Sequence, residues 1–190
     1  ISLAMTTDRP QPPAHSRSLG PAFEVSLRRP TRDDVPTIFE MVSDPQGNLM
    51  ARTKPRPRDV FMARWEVVLV DPAINSQVIE IVTPGPGGGT GGLATREFVG
   101  TISVFQSPGE TRNEMGYWIA RPHWGKGIAS RALELFLLQE LRRPLHATAS
   151  MTNLASHRVM LKNGFRLVRR YKSEESDRLM ARETAEFLLE

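Results

Sequence analysis

From Phe23 to Leu27 apolar and polar positions alternate, with Phe23, Val25 and Leu27 set against Glu24 and Ser26, which predicts a half-buried strand. Thr31, Asp33 and Asp34 followed by Val35, Ile38, Phe39 and Val42 predict a capped helix. The turn formers Pro45, Gly47, Pro55 and Pro57 predict an irregular loop from Ser43 to Arg58, long enough to be a candidate for function. Phe61, Trp65, Val68 and Leu69 then recur at helical spacing up to Asp71-Pro72. Val78, Ile79, Ile81 and Val82 read as a strand and Phe98 to Phe105 as another. The glycine-rich stretch 84–92 between them is expected to be a disordered hairpin tip.

Glu114 to Ala120 reads as a short aromatic-rich strand. It runs through Trp124 into Gly125-Lys126-Gly127 and a long helix with Ile128, Ala132, Leu135 and Phe136 inward. Leu145 to Ala149 is a further strand. Asn153 caps a helix with Ala155, Val159 and Leu161 inward, and Gly164 ends it in a left-handed cap. Phe165 to Tyr171 and Leu179 to Leu189 are the last two candidate strands, although Ala181, Ala185 and Leu188 also fit a helical period. Residues 1–22, rich in proline from Pro10 to Pro21, read as a flexible tail, with the four residues before Met5 excluded from the fold; 23–190 reads as one domain.

Composition narrows the function classes. The chain has 190 residues, 39% hydrophobic and 24% charged, as a globular domain does. It contains no cysteine, which removes disulfide frameworks, thiolate metal sites and a cysteine nucleophile. No apolar run reaches the roughly 18 residues of a membrane span, so a cytoplasmic protein without a membrane partner is expected. A formal charge of +4 suits an anionic small molecule as well as a nucleic acid. The basic run Arg158, Lys162, Arg166, Arg169, Arg170 and Lys172 lacks an aromatic stacking pattern, which makes RNA a weaker reading than a solvated face or a phosphate contact. His123, His146 and His157 have no partner at metal-ligand spacing, so no metal is expected.

A strand that opens through closely spaced glycines into a helix presents backbone N–H groups at the positive end of a helix dipole, a place for phosphate or pyrophosphate. The nucleotide-hydrolase pattern fails because Gly127 is followed by Ile128 rather than Lys, and the dinucleotide pattern is weak because its last position is Ser130. The run Trp124-Gly125-Lys126-Gly127-Ile128-Ala129 instead resembles the acyl-coenzyme A loop of the GNAT acetyltransferase superfamily, with Trp124 where Gln or Arg is usual. Glu114-Met115-Gly116-Tyr117-Trp118-Ile119 before it, and Asn153, Ser156 and Gly164-Phe165 after it, resemble the branch of ribosomal-protein N-terminal acetyltransferases.

The resemblance implies an α/β GNAT fold: a mixed, mostly antiparallel sheet of six to seven strands with helices on both faces. It implies acetyl-coenzyme A as cosubstrate and a primary amine as acceptor, either a protein N-terminus or a small amine, on a monomer or homodimer. The amides of Gly125, Lys126, Gly127, Ile128 and Ala129 are expected at the pyrophosphate, with Ser130 adding a hydroxyl and Trp124 and Asn153 beside the coenzyme. An amide at Trp118 or Ile119 is expected to polarise the thioester carbonyl. Amine attack needs a base, for which Glu114 is the candidate, and the departing thiolate needs an acid. The tyrosine that many members use as acid is replaced here by Met160, which leaves Ser156 as the candidate and keeps a coenzyme-binding or RNA-associated module without turnover as the alternative class.

Overall fold

The computed structural model describes residues 23–85, 93–107, 109 and 111–190. The tail 1–22 and residues 86–92 of the glycine-rich stretch lie outside the described residues. Seven strands form one sheet: β1 (Glu24–Arg28), β2 (Asn75–Thr83), β3 (Thr95–Gln106), β4 (Asn113–Ile119), β5 (Leu145–Ser150), β6 (Arg166–Ser173) and β7 (Arg182–Leu189), in spatial order β1-β2-β3-β4-β5-β7-β6. Every neighbouring pair is antiparallel except β4 and β5, which run parallel. The α/β class and the mixed sheet agree with the sequence reading, and the C-terminal segment that also fitted a helix is strand β7.

Helices cover both faces. On one face α4 (Ile128–Leu137) and α5 (Leu154–Lys162) close the larger core, with Ile128, Ala132, Leu133 and Phe136 buried against Ile102, Val104, Leu145 and Phe187. On the other, α1 (Val35–Val42) and α3 (Arg58–Val70) pack Ile38, Met41, Phe61 and Trp65 together, with Phe98 and Trp118 of the sheet against them. Phe39 and Phe61 meet edge to face at 5.2 Å across these two helices.

Three local expectations need correction. The stretch 43–58 is not wholly irregular: α2 occupies Pro45–Ala51, with the Gly47 amide donating to the Asp44 carboxylate at 2.9 Å as an N-cap. Proline opens this helix because the first position needs no N–H and φ is already set. In α4 it is Leu133 rather than Leu135 that is fully buried. In α5 the fully buried residue is Met160, 4% exposed; Val159 packs against the core as expected, while Ala155 and Leu161 face solvent.

An ion network ties β1 to the start of α1. The Arg28 guanidinium grips both Asp34 carboxylate oxygens at 2.7 Å and donates through Nε to Glu80 at 2.7 Å. The Arg28 hydrogen bonds hold Asp34 at a pKa of about 2, aided by the Thr31 amide and hydroxyl and opposed by burial. An unfolded Asp titrates at about 3.9. The folded value is the lower one, so this contribution to stability is complete above about pH 4 and is lost as pH falls towards 2. Asp34→Asn should lower stability at neutral pH and flatten its dependence across that window, as read by denaturant unfolding at pH 7, 4 and 2.5. An acid limb as steep as that of the unsubstituted protein would remove Asp34 from the account.

Candidate active site

The parallel ladder between β4 and β5 is short. Asn113 pairs with Leu145 and Glu114 with His146, and beyond these two positions the strands continue unpaired to Ile119 and Ser150. The sheet therefore opens as a V with Glu114 at its apex. Period-2 alternation sends Met115, Tyr117 and Ile119 to the α4–α5 face and Glu114, Gly116 and Trp118 to the α1–α3 face. Gly116 leaves a notch beside Glu114, since a Cβ there would meet no atom within 4 Å.

Backbone direction selects which groups line the V. The Ala120 amide donates to the Val99 carbonyl at 2.8 Å, and Trp118 lies opposite Thr101 in the antiparallel ladder. Alternate residues of such a strand turn their amides to the same side, so the Trp118 amide faces β3 whereas those of Tyr117 and Ile119 face the gap. Of the two amides considered from sequence, the geometry favours Ile119. Trp118 acts by packing: its indole lies over Gly47 of α2, where a Cβ would come within 2.6 Å of the ring.

The glycine turn sits at the mouth of the V, following the end of β4. Gly125 and Gly127 have φ of +74° and +78°, and Gly127 is the N-cap of α4. Added side chains at either glycine would meet nothing within 4 Å, so space above the turn is open. Among the described residues, the amides from Gly125 to Ser130 donate to no protein acceptor; the next amide, that of Arg131, closes on the Gly127 carbonyl at 3.1 Å. Six free donors at a helix N-terminus suit an anion. Trp124 braces the turn by donating its indole N–H to the Ile119 carbonyl at 2.7 Å. The Ser130 hydroxyl accepts from Asn163 at 3.3 Å, and Lys126 is exposed.

Two polar groupings flank the apex. On the α4–α5 face the Tyr117 hydroxyl and Ser156 Oγ share a hydrogen bond of 2.9 Å. Asn153 fixes Ser156 by accepting from its amide at 3.1 Å, which uses the Asn153 side chain as a helix cap. Burial pushes the Tyr117 phenol above its ordinary pKa, partly offset by the Ser156 hydrogen bond, so the group holds its proton at neutral pH. On the opposite face Arg112 bridges Glu114 at 3.5 Å and the buried Glu186 at 2.8 Å, and His146 Nδ1 lies 3.3 Å from the same Glu186 oxygen. Glu114 and Ser156 were the residues singled out from sequence, and their contacts with Tyr117, Arg112 and Glu186 were not foreseen there.

The sequence matches the family described as acetyltransferase (GNAT) domain over residues 24–166. No curated protein matches the chain. Among solved structures, the spermidine N-acetyltransferase of Vibrio cholerae in complex with CoA and spermine superposes with a TM-score of 0.66 at 16% identity, over 87% of this chain and 94% of that one. RimJ of Mycobacterium smegmatis in complex with CoA-disulfide gives 0.64 at 22% identity, over 89% and 83%. The Salmonella typhimurium acetyl transferase that modifies the N-terminal serine of ribosomal protein L7/L12 gives 0.63 at 17%, over 87% and 94%. These likenesses establish a shared fold.

Proposed function

The chain belongs to the GNAT acetyltransferase family, and on that premise we propose that it moves an acetyl group from acetyl-coenzyme A to a primary amine by direct attack, with Glu114 as base. The observation that carries this reading is the V between β4 and β5, which has a carboxylate at its apex and six free amides at its mouth. Acetyl-coenzyme A supplies the activated thioester. The Gly125–Ser130 amides hold its pyrophosphate, with Lys126 and Arg131 adding positive charge. The gap-facing amides of Tyr117 and Ile119 give the pantetheine arm a strand edge to pair with, and Ile119 polarises the thioester carbonyl.

The acceptor amine enters from the α1–α3 face, into the notch at Gly116. An ammonium has no lone pair, so Glu114 takes its proton, directly or through water, before or as the N–C bond forms. The C–S bond breaks towards the α4–α5 face, where the Tyr117–Ser156 hydroxyl pair supplies a proton to the departing sulfur. Tyr117 thus takes the part left vacant by Met160. The acceptor is a peptide N-terminus or a small amine, and neighbours of this fold include proteins named for each. Release of free thiol from acetyl-coenzyme A, with mass detection of the acetylated product, across peptides, polyamines and aminoglycosides tests the reading; no release with any amine sinks it.

Tyr117→Phe and Ser156→Ala should each lower turnover by about 10²-fold, the low end of the range for a positioned acid. Because the two hydroxyls act as one unit, the double variant should be hardly slower than the worse single variant. Effects that multiply in the double variant would mean that the hydroxyls act separately.

A further inference from the structure

The α1–α3 face carries a second polar cluster that the transfer chemistry leaves idle. The chain after α2 clasps the turn between β6 and β7: Thr53 bridges to Leu179, the Lys54 amide donates to the Arg178 carbonyl at 2.8 Å, and the Met180 amide to the Arg52 carbonyl at 3.0 Å. This clasp gathers Arg56, Arg178 and Arg182, all half-buried. Arg178 and Arg182 each spend one Nη on a carbonyl, those of Lys54 and Ala51, and Arg182 Nε donates to Thr184 Oγ1 at 3.2 Å.

Among the described residues, none of the three guanidiniums has a carboxylate within 4.0 Å. The nearby turn does contain acids, but Glu175 pairs with Lys54, and Glu174 and Asp177 are exposed and unpaired. Among the described residues Arg56 makes no hydrogen bond. Burial lowers the pKa of all three; repulsion adds to it at Arg56, from Arg64, and at Arg178, from Arg56, whereas Tyr171 partly offsets it at Arg182. Arginine does not give up its proton at neutral pH, so the cost persists as partly desolvated charge without a counterion.

The cluster lies on the acceptor's approach. Thr184 and Glu186 are on β7, opposite Ser150 and Thr148 of β5, and Glu186 connects through Arg112 to Glu114. From Glu186 to Arg182 is four residues, about 13 Å of strand. We propose that Arg56, Arg178 and Arg182 form a subsite for an anionic group, a carboxylate or phosphate, carried by the acceptor on the β7 side of the amine that meets Glu114. The inference rests on the transfer reading and narrows its acceptor to an anionic amine. Polyamines and aminoglycosides would set cations against three uncompensated guanidiniums.

The test is calorimetry on the coenzyme A-loaded protein with Ala-Asp-Asp, Ala-Asn-Asn and Ala-Lys-Lys amides, 5-aminopentyl phosphate and spermidine. The acidic peptide or the aminoalkyl phosphate should bind at least about tenfold more tightly than the neutral peptide, and the stronger of the two identifies the anion's source. Arg56→Glu should abolish that preference, with Arg56→Met intermediate. Coenzyme affinity, measured separately, should hold in both variants. Equal or tighter binding of the neutral or basic ligands would overturn the subsite, as would a loss of coenzyme affinity in Arg56→Glu, which would assign the cluster to the coenzyme. Acidic ligands that bind without any thiol release would leave the subsite standing and remove the transfer reading.

Discussion

Replacing Glu114 by Gln is expected to lower the turnover number by about 10²- to 10⁴-fold while coenzyme affinity stays where it is. The substitution keeps the size of the side chain and part of its hydrogen bonding but removes its ability to accept a proton. Arg112 retains its 2.8 Å contact with Glu186, so the apex should not collapse. Raising the pH should recover part of the rate, because solvent then supplies the free amine that Glu114 would have produced. A carboxylate that only binds the acceptor gives a different signature: a raised Michaelis constant, a near-normal turnover number and little recovery at high pH. Steady-state kinetics from pH 6 to 10 separate the two cases, and a Gln variant with unchanged turnover and pH profile would reduce Glu114 to an ordinary strand residue.

At the glycine turn, Gly127→Glu should weaken coenzyme A binding by about 100-fold or more, the order expected when several charge-assisted hydrogen bonds are lost. A Cβ at Gly127 meets no atom within 4 Å, so the fold survives, with strain from the φ of +78° as the structural cost. The new carboxylate is itself an anion tethered at the N-terminus of α4, where it competes for the amides from Gly125 to Ser130. Gly127→Ala carries the same backbone strain without the charge, and its smaller loss of affinity isolates the electrostatic part. Calorimetry on both variants decides: undiminished affinity in a folded Gly127→Glu protein would place the coenzyme elsewhere.

Most of the sheet was legible in the sequence because its strands are bounded by turn residues and either alternate in polarity, as β1 does, or form short apolar and aromatic runs, as β2 and β4 do. The glycine turn was legible for a related reason, since two glycines at positive φ next to a helix start leave a local mark. Helix α2 was not, because Pro45 and Gly47 carry opposite meanings by position: proline opens the helix, and glycine sits where the Trp118 indole leaves no room for a side chain. Of the α5 stripe only Val159 was placed correctly, because Met160 alone of that helix is fully buried, too weak a pattern to set a phase. Tyr117 and Ser156 are 39 residues apart and meet only because β4 and α5 share a face of the V. The arginine cluster was invisible for the same reason, its members being drawn from a loop and, more than a hundred residues later, from a turn and the start of β7.

The two-position ladder between β4 and β5 has a consequence for how much of the protein a cell keeps. In the proposed binding mode the cosubstrate pairs with the free edge of β4 beyond that ladder, which would link folding to cosubstrate supply. At a free ligand concentration 100-fold above its dissociation constant, the folded chain gains about 2.7 kcal/mol, enough to suppress global unfolding about a hundredfold. Gly127→Glu should forfeit that protection along with the affinity. On that reading, scarce acetyl-coenzyme A should leave the chain more open to proteolysis, which limited digestion with and without coenzyme would show.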